Sequence, residues 1–234
     1  MTCLSIIQEV SQRLNLASPT SSAQSTDPAV LQLVALANKE GEWMTDQCDW
    51  QVLTQEASFT TVATEIQGAL DTICPGLKNV VNDTMWNRDL RRPVFGPTTN
   101  ARWEQLKAMV MTGPWNMYEI RNNNIRFIPV PTAGQSIYFL YTTQYWCQSS
   151  TGTNQSRFLA DTDVLLLRED LFKLGMEWRW KKAKGLDYAQ DFADYEVMLE
   201  SAKSRDGAKD TINMGDVKYD IYPGILVPSG SWPT

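Results

Sequence analysis

Residues 161–206 read DTDVLLLREDLFKLGMEWRWKKAKGLDYAQDFADYEVMLESAKSRD. Leu167, Leu171, Leu174 and Trp178 recur at helical spacing, and Leu165, Phe172 and Met176 widen that stripe. Asp161 or Thr162 is the expected cap, with Asp163, Glu169 and Asp170 towards the positive end of the helix. Arg179, Lys181, Lys182 and Lys184 lie at the opposite end, so the charges complement the macrodipole. Gly185 suits a left-handed residue just past a helix C-terminus. Beyond it Tyr188, Phe192, Tyr195, Leu199 and Ala202 repeat the helical spacing until Asp206-Gly207. Two helices joined by so short a turn are antiparallel neighbours.

Upstream, residues 2–15 predict an amphipathic helix capped by Thr2, with Leu4, Ile7, Val10 and Leu14 on one face. A small, polar loop follows. Asp27-Pro28, a capping Asp before a first-turn Pro, restarts a helix that runs to about Trp50. Gly41 in its middle is either a point of close approach by another helix or a tolerated defect. From Gln51 the period changes to two, as in a strand. Residues near Val80–Trp86 suggest another strand, and Thr98 or Thr99 caps a short helix ended by Gly113-Pro114. MYEIRNNNIRFIPV is a hairpin turning at Asn122-Asn123-Asn124, where Asn tolerates positive φ. Ser136 to Cys147 is a further strand, aromatic and β-branched. The expected fold is therefore α+β, a helical bundle with a β-rich insertion. Residues 1–50 would supply its N-terminal helices, 51–160 the insertion, 161–206 the C-terminal hairpin and 207–234 an extended arm.

The composition excludes several chemistries. The chain has 234 residues, 43% hydrophobic and 21% charged, with no stretch of eighteen apolar residues. No membrane partner and no signal peptide are expected. It has no histidine, which removes Ser-His-Asp and Cys-His nucleophiles and H-E-x-x-H zinc sites. Four scattered cysteines form no C-x-x-C pair and read as structural thiols. Neither a P-loop nor a G-x-G-x-x-G motif is present, and no cofactor or metal is expected. The carboxylate groups Asp161/Asp163, Glu169/Asp170 and Asp191/Asp194/Glu196 are accounted for by helix starts and solvated faces. No catalytic residue is assigned.

Two basic-aromatic clusters remain. Arg179, Lys181, Lys182 and Lys184, interleaved with Trp178 and Trp180, read as a contact to DNA or to a neighbour. The competing reading, a core tryptophan followed by lysines on a helix end, weighs more. Trp86, Arg88, Arg91 and Arg92 form a turn patch suited to a subunit interface, since Arg and Trp are enriched there. A solvated loop reads equally well. After Asp206 the period dissolves, yet Val217, Tyr219, Ile221, Tyr222, Ile225, Leu226 and Trp232 remain. Apolar groups gain only by burial, which favours an arm that docks on another surface over a free tail.

Taken in order, LSIIQEVSQRLNLASPTS with STDPAVLQLVALANKEG, DWQVLTQEASFTTVA, DTMWNRDLRRPVFGP, WRWKKAKGLDYAQDF and RDGA resemble the tailed-phage head-to-tail adaptor family, of the podovirus type that binds beneath the portal. The resemblance covers roughly residues 1–208. It implies a structural, non-enzymatic virion protein at the head-tail junction, assembled in the host cytoplasm. It further implies a ring of twelve copies on the portal protein, a channel for genomic DNA without sequence-specific binding, and a face for tail or nozzle proteins. By the same resemblance the C-terminal arm grips the portal. A net charge of −6 suits a channel through which DNA must slide. The alternatives are another tail or nozzle component, or a carboxylate-dependent glycan hydrolase.

Overall fold

Local capping chemistry sets the first two helix starts. The Thr2 side chain accepts a hydrogen bond from the Ser5 N–H and opens α1, Cys3–Arg13. Asp27 accepts from the Ala29 N–H and Pro28 sits in the first turn of α2, Pro28–Gln47. The computed structural model describes residues 1–109 and 115–207. Among them the strands are β1 (Thr54–Thr60), β2 (Ile66–Ala69), β3 (Leu77–Val80), β4 (Trp86–Asn87), β5 (Arg92–Phe95), β6 (Asn116–Arg121), β7 (Asn124–Ile128), β8 (Ser136–Thr143), β9 (Cys147–Gln148), β10 (Asn154–Gln155) and β11 (Val164–Leu165). The remaining helices are α3 (Leu70–Ile73), α4 (Asn100–Ala108), α5 (Glu169–Ala183) and α6 (Ala189–Arg205).

The sheet corrects the expected fold. The chain is α+β, but its dominant element is an eight-stranded mixed sheet ordered β1-β8-β4-β5-β6-β7-β2, with β3 also paired to β8. A helical bundle carrying a β insertion is not what forms. Pairs β4–β5, β4–β8, β6–β7 and β2–β7 are antiparallel, whereas β5–β6 is parallel. Long helices advertise themselves by many turns of periodicity. Strands of two to four residues, such as β2 to β5, leave almost no periodic signal and gain stability only through pairing.

The chain divides into two compact units. One comprises Met1–Gln55, Gly76–Asn79 and Thr142–Gly207; the other holds Glu56–Pro75 and Val80–Tyr141. In the first, α5 packs against α1, α2 and α6, and its core includes Ile6, Ile7, Leu33, Met44, Trp146, Phe172 and Met176. A three-stranded sheet, β10-β9-β11, belongs to the same unit. In the second unit the β6–β7 hairpin turns at Asn122 and Asn123, with φ of 50° and 59°. Arg121 pairs with Asn124, so the loop has two residues and the positive φ values of a type I′ turn. Phe59 packs edge-on against Phe127 and Phe139 inside this unit.

One helix boundary also differs from expectation. α5 begins at Glu169, after Arg168, and residues 161–168 contribute β11 instead of helix. Asp161 and Asp163 cap no helix. Asp163 accepts from the Leu159 and Ala160 N–H groups at 2.6 and 2.8 Å. Asp161 accepts from Ser21 Oγ, Ser22 N and Ala23 N at 2.6, 2.7 and 2.8 Å, and from Ser22 Oγ, fixing the loop that joins α1 to α2.

Candidate functional site

The turn between α5 and α6 closes as a Schellman motif. The Gly185 N–H donates to the Lys182 carbonyl and the Leu186 N–H to the Lys181 carbonyl, with Gly185 at φ 71°. This turn sends α6 back along α5 and sets Tyr188 and Phe192 opposite Trp178. Ring centroids lie 6.4 Å apart for Trp178–Tyr188 and 5.0 Å for Trp178–Phe192.

Beneath these rings sits a buried polar cluster. Glu40 of α2 is 0% exposed, Arg179 of α5 is 9% exposed, and Tyr195 of α6 is 0% exposed. Arg179 Nε donates to Glu40 Oε2, and the Tyr195 hydroxyl donates to Glu40 Oε1 at 2.5 Å. Three helices are thus joined through one carboxylate. Burial pushes the Glu40 carboxyl above the ordinary carboxylate range, opposed by the Arg179 charge and by the bonds from Tyr195 and Arg179. Burial, reinforced by the Glu40 carboxylate, also raises the Tyr195 phenol, so it stays protonated and donates.

Above the cluster lies a cleft of about 370 Å³ lined by Trp43, Trp178, Arg179, Lys182, Tyr188 and Phe192. The guanidinium of Arg179 stands 4.5 Å from the Trp178 ring and 5.3 Å from that of Trp43. Lys182 Nζ is 5.7 Å from both the Trp178 and Tyr188 rings. Arg179 Nη2 is buried without a hydrogen-bond partner among the described residues. The cleft is therefore aromatic-walled and cationic, suited to an anionic group on an apolar body.

The structure separates the other members of the 179–184 cluster. Lys181 Nζ bonds Asp191 at 2.6 Å, and Lys184 Nζ lies over Trp180 at 4.5 Å. Trp178 and Trp180 are core residues. What the sequence did not disclose was Glu40. A lone glutamate in a charged stretch of α2 gave no sign of burial, although Gly175, set where that carboxylate packs, was the available hint.

In the second unit the sequence-predicted turn patch is gathered on β4, β5 and the connection between them. Asn87 Oδ1 accepts from the Leu90 N–H at 2.9 Å, and Asp89 Oδ2 accepts from the Ser136 N–H at 2.6 Å. The Arg88 guanidinium stacks 3.6 Å from the Tyr138 ring centroid and pairs with Glu56. Arg91 is exposed at φ 54°, Arg92 pairs with Asn87 in register, and Trp86 is half-buried. The arm residues Val217, Tyr219, Ile221, Tyr222, Ile225, Leu226 and Trp232 lie outside the described residues.

Burial pushes the thiol of Cys3 up to about 11, and those of Cys74 and Cys147 up to about 12, so they remain protonated near neutral pH. Among the described residues no group of three His, Cys, Asp or Glu could hold a metal ion. No helix among them is long and apolar enough to cross a membrane.

The family model described as SU10 adaptor protein matches residues 1–217, and the chain belongs to that family. The family name indicates a phage adaptor, consistent with a structural role in the virion. Comparison with curated proteins gives no match.

Proposed function

We propose that this chain is the head-to-tail adaptor of a podovirus-type virion, forming a twelve-membered ring beneath the portal protein. The ring continues the channel through which genomic DNA passes and offers its lower face to tail or nozzle proteins. The observation that carries this reading is the adaptor-family match, which runs through both structural units and into the arm. A cyclic ring mates two different faces of each subunit. The turn bearing Arg88 and Arg91, with Trp86 and Arg92 on its flanking strands, is the interface we assign to a neighbouring copy. The acidic balance, net −6, favours sliding over trapping of DNA. Lys182 and Lys184 are the exposed cations of the α5 end and the groups available to DNA or to a neighbour there; Arg179 and Lys181 are committed to carboxylates. Residues 217–232 grip the portal through their apolar side chains.

Native mass spectrometry of the protein mixed with its portal tests this reading. A single complex of fixed stoichiometry, twelve adaptors per portal ring, is expected. A chain ending at Asp206 should remain folded and lose portal binding. No association between the full chain and portal, or unchanged affinity after truncation, would refute the ring or the arm respectively.

A further inference from the structure

We infer that the aromatic cleft between α2, α5 and α6 receives the outer face of α6, centred on Val197, from a second copy of this chain. The two faces lie on opposite sides of one helix. Tyr188 and Phe192 face Trp178 and wall the cleft. Val197 follows Phe192 by five residues, about 140° round the helix. It is 73% exposed, the most of any large apolar side chain among the described residues.

The outer face carries an acidic rim. Asp194, Glu196 and Glu200 surround Val197, all three exposed and none in an ion pair among the described residues. Asp194 accepts from Gln190 at 2.9 Å. Glu196 and Glu200 stand at i and i+4, where like charges repel along a helix. Ala193, one turn before Val197, is also exposed, so the ridge of this face is apolar and its flanks are negative.

The cleft supplies the complement. Trp43, Trp178, Tyr188 and Phe192 give about 370 Å³ apolar walls, and no acidic residue lines it among the described residues. Arg179 is already matched by Glu40 beneath. Lys182, exposed at the rim, has ring contacts and no carboxylate partner among the described residues, so its charge is uncompensated. An amphipathic helix laid in an apolar groove between opposite charges is a recurring mode of recognition. Duplex DNA matches the charge of Lys182 but offers no apolar ridge, since its bases are stacked inside its phosphates. The donor and acceptor faces differ, so the contact is heterologous and passes from copy to copy. The inference rests on the reading that copies associate with one another; it needs neither portal nor the Arg91 turn.

Carbodiimide cross-linking of an equal mixture of unlabelled and 15N-labelled full-length protein tests it. The Lys181–Asp191 pair, 2.6 Å apart, is the control and links within one chain. Amides from Lys182 to Glu196 or Glu200 are expected, as many joining labelled to unlabelled peptides as not, at a yield that rises with protein concentration. Val197→Asp should lower that yield by about tenfold while the subunit stays folded by circular dichroism. Lys182→Glu should weaken self-association in sedimentation by about tenfold, and adding Glu196→Lys/Glu200→Lys to the same chain should restore it to within about threefold. Control links without the Lys182 links overturn the assignment, as does a yield that Val197→Asp leaves unchanged. Links confined to peptides of one label overturn the contact between copies. Protection of Lys182 from acetylation by duplex DNA, with these amides absent, reassigns the cleft to phosphate. Association in sedimentation with the links absent leaves the ring standing and removes this pair of faces. A chain that stays monomeric on its own overturns this inference, while the ring is judged separately by its stoichiometry with portal.

Discussion

The carboxylate of Glu40 on α2 occupies the space that a side chain at Gly175 on α5 would fill. A glycine on one helix therefore makes room for an ion pair on the other, and the two cannot vary independently. Gly175→Ala should destabilise the protein by about 1–3 kcal/mol through overpacking. Glu40→Gln, which leaves the Arg179 charge buried without its counter-ion, should cost about 3–5 kcal/mol. Replacing both charges, Glu40→Leu with Arg179→Met, should recover most of that loss. Urea unfolding of the four proteins checks the order. A Glu40→Gln midpoint equal to that of the native chain would show that the pair contributes nothing.

Gly41, the neighbour of Glu40, faces the indole of Trp146, which lies where a β-carbon would go. The close approach comes from an aromatic ring and not from another helix. Helix propensity favours Gly41→Ala by about 1 kcal/mol. The clash with a ring that is itself wedged between Phe158 and Phe172 should outweigh it, for a net loss of about 1–2 kcal/mol. A rise in melting temperature for Gly41→Ala would mean that Trp146 moves aside at little cost.

Asp161 predicts an acid response. Burial raises its pKa, but hydrogen bonds from Ser21, Ser22 and the Ala23 N–H together outweigh burial and hold the carboxyl at about 2, against an ordinary 3.8. Folding lowers this pKa, so the stabilisation is complete above pH about 4 and is lost as pH falls from there towards 2. Asp161→Asn should be less stable than the native chain by about 1–2 kcal/mol at pH 7. The two unfolding midpoints should converge near pH 2, and parallel curves down to that pH would exclude Asp161 as the source.

Arg91 offers a way to separate folding from assembly. Its φ of 54° is a conformation that glycine adopts without a steric penalty. Arg91→Gly should leave stability unchanged or raise it by up to about 1 kcal/mol, while removing the side chain we place between neighbours. Sedimentation should then show weaker self-association of a fully folded subunit. Undiminished association would take Arg91 out of the interface.

The sequence disclosed what local chemistry controls. Thr2, Asp27, Thr99 and Gly185 mark helix ends correctly because each satisfies backbone groups within a few residues of itself. The asparagine turn was legible for the same reason. Asp161 misled because its partners are about 140 residues away in sequence, and a cap and a loop anchor look alike in one dimension. The sheet was underestimated because β4 has two residues and its neighbours in the sheet are β8 and β5. The aromatic cleft was half visible, since Trp178, Tyr188 and Phe192 fall on regular spacings. Trp43, on a helix more than 130 residues earlier, could not be joined to them without the fold.

The division of the chain has a consequence for its synthesis. α1 and α2 leave the ribosome about 120 residues ahead of α5, the helix against which both pack. At 5–20 residues per second that interval lasts roughly 6–24 s. During it Ile6, Ile7, Leu33 and Met44 lack the α5 surface that completes their core. The intervening 56–141 region must emerge meanwhile, so its sheet can close while the helices wait. Nascent chains stalled before residue 169 should therefore recruit holdase chaperones through the first fifty residues, and release them once α5 has cleared the exit tunnel.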